Sequence, residues 1–203
     1  MWNCFMRNCL SCWMVILAVV VASCESKPTN FYYLESLGPP PSGPSDYQAR
    51  LVIEEVTLPP YLDRFDIVSQ QQANRLDVSD IEQWAEPLDD AFARVLRSDL
   101  SNLLADKRVL VVPANFTEAE ASVFVDVSRF EVVEGGDAAV LEAQWRIVRA
   151  RDGRELVLER SLQRAAVTGE GYGAITAALN ETLHGLSRDI SAAMTKQIQQ
   201  RRI

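Results

Sequence analysis

Residues 121–167 read ASVFVDVSRFEVVEGGDAAVLEAQWRIVRARDGRELVLERSLQRAAV. Val123, Val125 and Val127 alternate with Phe124, Asp126 and Ser128. Further on, Leu141, Ala143, Trp145 and Ile147 fall on one side of a strand, and Glu142, Gln144 and Arg146 on the other. A period of two marks a strand with one face buried and one face wet. Glu134-Gly-Gly-Asp137 is a turn, and Asp152-Gly153 is a two-residue hairpin signal. The stretch therefore predicts three strands in a meander, Ala121–Val133, Ala139–Arg149 and Glu155–Val167.

A helix is predicted on each side of this meander. From Leu88 to Leu104 the apolar residues Leu88, Phe92, Val95, Leu96, Leu100, Leu103 and Leu104 share one stripe. Pro87 opens that helix, where a missing N–H costs nothing, and Asp89 and Asp90 lie at its positive end. The closing helix runs from about Tyr172 to Gln200, with Ile175, Leu179, Leu183, Leu186, Ile190, Met194 and Ile198 as its seam. Upstream, Phe31–Leu34, Leu51–Leu58, Phe65–Gln71 and Leu76–Val78 read as strands, the last two around an Ala73-Asn74 turn. The proline-rich loop from Gly38 to Pro44 cannot enter a sheet interior, because proline lacks the donor. One sheet with an apolar face and two amphipathic helices imply an α+β fold. The expected architecture is a single-domain two-layer α/β sandwich with a mostly antiparallel or mixed sheet. No internal repeat and no second domain are visible.

Composition narrows the chemistry. The chain has 203 residues, 48% hydrophobic and 24% charged, with a formal net charge of −8. An acidic chain of this kind is a poor phosphate neutraliser, so no nucleic-acid partner is expected. The cysteines, Cys4, Cys9, Cys12 and Cys24, all lie near the N-terminus, and His184 is the single histidine. That leaves a disulfide framework, a cysteine zinc cage and most metal chemistry without parts. No cofactor, no metal and no enzymatic activity are expected.

The first 23 residues read as an address. Arg7 is their only charge, and the apolar run Trp13–Val21 is shorter than the roughly 20 residues a bilayer core requires. The run ends in Val21-Ala22-Ser23-Cys24. Small residues before a cysteine are what a lipoprotein signal peptidase reads, so the junction resembles a bacterial lipobox. A simple signal peptide or an uncleaved anchor is the competing reading. The expected organisation is a lipoprotein signal peptide over 1–23, a tether over 24–30 and a folded domain over 31–203. Cys24 would carry the acyl chains, palmitate among them. Two or more chains anchor stably, at about 0.8 kcal/mol per buried methylene. In Gram-negative lipoproteins an Asp after the cysteine means inner-membrane retention; Glu25 points instead to the outer membrane.

Few residues offer reactive chemistry. His184, Ser187 and Asp189 are close in sequence, but residues this close on one helix cannot converge as a triad. An ordinary surface histidine is expected. Gly169-Glu-Gly-Tyr-Gly173 lacks the residues of a phosphate loop and reads as a strand-to-helix turn. Asp63, Asp66, Glu82 and Glu86 read as solvated acids rather than a glycosidase pair. The sequons at Asn115–Thr117 and Asn180–Thr182 carry little meaning in a bacterial lipoprotein. Pro59-Pro60-Tyr61-Leu62 and Trp84-Ala-Glu-Pro87 place large side chains beside prolines in loops. Tyr61, Leu62 and Trp84 are therefore candidates for partner contact, with closure of the core as the equal alternative.

These same segments carry a family resemblance. Phe31-Tyr-Tyr-Leu34, Val56-Thr-Leu-Pro-Pro-Tyr-Leu-Asp-Arg64, Ile67-Val68 and Trp84-Ala-Glu-Pro-Leu88 follow the lipobox in order. Arg94, Leu96, Val125-Asp-Val-Ser-Arg-Phe-Glu131 and Leu141-Glu-Ala-Gln-Trp145 complete the set. Together they resemble the PqiC/YmbA family of ABC-type transport auxiliary lipoproteins, over essentially the whole mature chain. The resemblance implies an outer-membrane lipoprotein on the periplasmic face, non-enzymatic and capable of forming homo-oligomers. It would work with a periplasm-spanning MCE-domain protein and an inner-membrane transport component in lipid transport. A stand-alone envelope lipoprotein, acting as an assembly factor or lipid-binding module, is the alternative.

Overall fold

The computed structural model describes residues 27–39, 46–72, 74–114, 118–133 and 135–200. In chain order its elements are β1 (Asn30–Tyr32), β2 (Ala49–Thr57), β3 (Asp66–Gln72), β4 (Arg75–Trp84) and α1 (Leu88–Leu103). Then follow β5 (Val109–Val112), β6 (Ala121–Val132), β7 (Ala138–Arg149), β8 (Arg154–Ala166) and α2 (Gly171–Gln199). The strands form one sheet, and both helices pack on it and on each other around one core. This is the two-layer α+β arrangement that the patterning predicts.

The period-two stretch forms the antiparallel limb, β6–β7–β8. Val125 pairs with Trp145, and Trp145 with Glu159, within ladders that run the length of the strands. Val123, Val125, Val127, Leu141, Ala143, Trp145 and Ile147 are all buried, while Asp126, Ser128, Gln144 and Arg146 are exposed. The Trp145 indole N–H donates to Ser161 Oγ at 2.9 Å, and that hydroxyl donates to Asp189 of α2 at 2.6 Å. A buried indole thus keeps its hydrogen bond. Phe92 of α1 meets Phe130 of β6 edge-on at 5.4 Å.

The β7–β8 hairpin differs from its two-residue expectation. Its last pair is Arg149↔Arg154, so residues 150–153 form a four-residue loop. Arg149 reaches across to Asp152 at 2.6 Å, and the Gly153 N–H donates to the Arg149 carbonyl at 3.0 Å. Gly153 sits at φ 67°, a left-handed conformation that suits glycine.

The other edge of β6 is shared. Its first half pairs parallel with β2, from Leu51↔Ala121 to Thr57↔Asp126. Its end pairs parallel with β3 through Ser69↔Val132. The sheet therefore forks: β5 lies beyond β2, while β4 and then β1 lie beyond β3. Residues 58–65 cross the gap between the two branches, level with a register shift in β6 between Val127 and Arg129.

Two strands differ from expectation here. β4 extends to Trp84, far past Val78, because residues 79–82 bulge between the Val68↔Val78 and Asp66↔Gln83 pairs with β3, and Glu82–Trp84 then pair with β1. The bulge is held by Ser79, whose hydroxyl accepts the Glu82 N–H at 3.0 Å. β5 is too short for alternation to reveal. Its unbroken apolar sequence suits a parallel strand inside the core, beside β2.

Candidate functional site

The two proline-bearing segments meet at the fork. Pro59 precedes a single 3-10 turn, Pro60–Leu62, closed by the Leu62 N–H on the Pro59 carbonyl at 2.9 Å. Pro87 stands just before α1 in an extended conformation, so the helix starts at Leu88. Between them the Trp84 N–H donates to the Phe65 carbonyl at 2.6 Å, and the Ala85 N–H to the Tyr32 carbonyl at 2.7 Å. Together they border a groove of about 490 Å³. Val56, Leu58, Pro60, Leu62, Phe65 and Leu88 supply its apolar lining, and Glu55, Asp63, Arg64 and Asp89 its charges.

The structure separates the three contact candidates. Leu62 and Trp84 are each only 3% exposed and belong to the core. Their side chains close the subunit's own interior, the core alternative of the two readings, although Leu62 also borders the groove. Tyr61 is half-buried, and its hydroxyl donates to Glu131 Oε2 at 3.1 Å. Arg129 donates to the other Glu131 oxygen from Nε at 3.1 Å and Nη2 at 3.0 Å. A second Arg129 contact, Nη2 to Gln70 Oε1 at 3.3 Å, ties the cluster to β3. Burial, and then the Glu131 charge, push the Tyr61 phenol well up, so it remains a donor throughout the ordinary pH range. Phe65, half exposed beside the groove, is the aromatic that sequence reasoning passes over. Its place directly after the Pro-Pro-Tyr-Leu-Asp-Arg segment is the only sequence signal for it.

His184 is not a surface residue. It is buried between the helices and the N-terminal strap, 6% exposed. Its Nε2 lies 3.0 Å from the Glu35 carbonyl. A carbonyl only accepts, so Nε2 carries the proton. Nδ1 is 3.5 Å from Glu181, and Nε2 is 3.8 Å from Asp99. Asp99, fully buried in α1, accepts the Leu37 N–H at 2.7 Å and the Ser187 hydroxyl at 3.0 Å. Burial pushes its carboxyl pKa up, with the Leu37 N–H, His184 and Ser187 pulling the other way. Ser187 thus serves Asp99 rather than His184, and it is sealed from solvent. Asp189 faces the sheet, accepting from Ser161 and from Gln163 Nε2 at 2.7 Å. The three residues form no nucleophilic relay.

His184 and Asp99, the latter steadied by Ser187, instead hold the strap at Leu34–Gly38. Arg94 Nη2 donates to the Leu34 carbonyl at 2.9 Å, and Asn180 Oδ1 accepts the Glu35 N–H at 3.1 Å. Asn102 Nδ2 donates to the Gly38 carbonyl at 2.9 Å. The second sequon asparagine is therefore engaged internally. Cys24 and the Asn115–Thr117 sequon lie outside the described residues.

Asp66, Glu82 and Glu86 each have a non-acidic partner. Asp66 accepts from Gln83 at 2.9 Å, and Glu86 pairs with Arg94 at 2.5 Å. Glu82 accepts the Tyr32 hydroxyl at 2.7 Å, and this bond is the main reason the Tyr32 phenol is pushed up to about 12. Gly169 and Gly171, at φ 117° and 75°, shape the turn from β8 into α2. Among the described residues no group of three His, Cys, Asp or Glu side chains is placed to hold a metal, and no helix is long and apolar enough to cross a membrane.

Comparison with known proteins follows the fold. A crystal structure of an uncharacterized protein superposes with a TM-score of 0.70 at 19% identity, over 83% of this chain and 99% of that one. Protein XCC0632 from Xanthomonas campestris superposes with a TM-score of 0.67 at 18% identity, over 85% of this chain and 99% of that one. No curated protein matches the sequence. The family profile for the ABC-type transport auxiliary lipoprotein component matches residues 32–191, from the last residue of β1 through most of α2. The chain belongs to the ABC-type transport auxiliary lipoprotein family.

Proposed function

We propose that this chain is the outer-membrane-anchored, periplasmic lipoprotein of an MCE/ABC-type intermembrane lipid transport system, held by acyl chains on Cys24 and acting without catalysis of its own. The observation that carries this reading is the family match over 32–191, starting a few residues after the Val21–Cys24 junction. The groove at the fork supports a docking role. Its prolines limit the entropy lost on binding, and its apolar floor beside charged walls resembles the make-up of a contact surface. The occupant would be a segment of the MCE-domain protein. The apolar lining favours one second reading, a stand-alone lipid-binding lipoprotein.

The test is purification of the tagged full chain from membranes in mild detergent, followed by identification of co-purifying proteins. An MCE-domain protein and an inner-membrane transport component are expected. If both are absent while the chain is acylated and folded, the transport reading fails. Cys24→Ala should abolish processing and acyl incorporation; continued labelling of that variant would refute the anchor.

A further inference from the structure

Four of the large apolar side chains that stand exposed among the described residues are strung along one edge of the sheet. They are Phe31 (64% exposed), Tyr33 (58%), Leu76 (41%) and Val78 (37%). Phe31 lies in β1, which is the terminal strand, and Tyr33 follows it directly; Leu76 and Val78 lie in β4, its neighbour. β1 runs parallel to β4, with Asn30 opposite Glu82. The N-terminal end of β1 therefore lies toward the Val78 and Leu76 end of β4. Cys24 is six residues before Asn30. An extended chain covers at most about 3.6 Å per residue, so the anchor point lies within about 20 Å of this edge.

We propose that the β1–β4 edge is a membrane-contact surface, resting on the lipid surface that the acyl chains of Cys24 enter. The inference rests on the anchoring reading above. Amphipathic aromatics favour the headgroup level, where the ring finds apolar surroundings and a hydroxyl finds water. Tyr33 has that form, with its hydroxyl on Glu35 at 2.9 Å. Two further exposed leucines, Leu158 and Leu162, lie on β8, five interstrand steps from β1. At about 4.8 Å per step they stand some 24 Å away. The tether thus places the β1–β4 edge nearer the bilayer than the β8 edge. Lys27 and Arg75 are outnumbered at the same edge by Glu35, Asp77, Asp80 and Glu82, so the edge carries no basic patch for an anionic lipid. The contact is therefore apolar in character and needs no anionic lipid.

The test places single tryptophans in the full acylated chain: Phe31→Trp, Leu76→Trp and, as the distant control, Leu162→Trp. Each is reconstituted in phosphatidylethanolamine vesicles, with and without phosphatidylglycerol, containing lipids brominated near the top of the acyl chains. The probes at 31 and 76 should lose about half their added emission, as expected for side chains at the headgroup level, with or without phosphatidylglycerol. The probe at 162 should lose none. Equal behaviour of all three in vesicle-bound protein overturns the proposal. So does shielding of the probes at 31 and 76 from aqueous quencher in lipid-free solution, which would mark a contact between copies. Mass analysis of the N-terminal peptide reports acylation separately. If Cys24 proves unmodified, the anchoring reading fails. The same variants, started at Cys24 and coupled through its thiol to a maleimide lipid, then decide the surface alone: quenching at 31 and 76 supports it, and its absence overturns it.

Discussion

The two edges of β6 are built differently. Toward β7 the ladder runs from Ala121↔Arg149 to Val132↔Ala139 with one register shift. Toward β2 and β3 the same strand is served by two partners, and Tyr61, Glu131 and Arg129 occupy the space between. The first edge satisfies its backbone by regular pairing and buries a continuous apolar face. The second leaves a gap that only specific side chains can fill. Regularity gives the antiparallel limb its stability, whereas the interruption gives the forked limb a shape that a partner can recognise.

If that division is right, the largest loss should come from the regular limb. Trp145→Ala removes a fully buried side chain and strands Ser161 beside Asp189. It should cost about 3–5 kcal/mol, read as a large fall in melting temperature. A smaller cost than that of any fork variant would reverse the assignment.

Asp99 comes next. Asp99→Ala leaves the Leu37 N–H without its acceptor and should cost about 1–3 kcal/mol, with faster amide exchange at Leu37. Asp99→Asn keeps an acceptor for that N–H. Because the folded carboxyl has a raised pKa, the native state keeps a proton that the unfolded chain has released. Stability attributable to Asp99 therefore falls as pH climbs from the ordinary carboxylate value through the raised one. Asp99→Asn should flatten that slope in melting temperature against pH; an unchanged slope would remove Asp99 as its source.

Tyr61 tests the forked limb directly. Tyr61→Phe removes one hydrogen bond and should cost about 0.5–1.5 kcal/mol, with the groove intact. Tyr61→Ala should lose partner co-purification while leaving the fold and the anchor in place. A variant that still binds its partner but melts much lower would make Tyr61 a core residue.

The smallest effect belongs to the exposed hairpin. Asp152 is drawn down to about 2, chiefly by its hydrogen bonds with Arg149. Its contribution is present above the ordinary carboxylate value and fades as pH falls toward 2. Asp152→Asn should lose this small contribution at neutral pH and correspondingly soften the acid limb of the melting profile. A loss at neutral pH as large as that of Tyr61→Phe would show that the hairpin matters more than its exposure implies.

What could be read from the sequence follows the same division. The meander and both helices announce themselves because each residue's side follows from its neighbours two or four positions away. Trp145 and Leu183 were legible for that reason. β5 was not, since Val109-Leu-Val-Val112 is too short for a period. The fork was not, because parallel pairing of β2 and β3 with one strand is decided by residues far apart in the chain. Leu62 and Trp84 read as loop residues; only packing into a core assembled from distant parts of the chain buries them. His184 read as exposed because its cover, the strap at Leu34–Gly38, is about 150 positions away in sequence.

The strap also defines a load path. Tension arriving from the N-terminal side meets β1 first, three residues long, with its hydrogen bonds to β4 lying across the pull. Such bonds share force in shear instead of opening one at a time. Behind them Leu34 is fully buried, and Arg94, His184, Asn180, Asp99 and Asn102 grip the backbone from both helices. A pull strong enough to strip β1 is therefore arrested at Leu34. The sheet and its groove keep their geometry while the attachment point takes the strain.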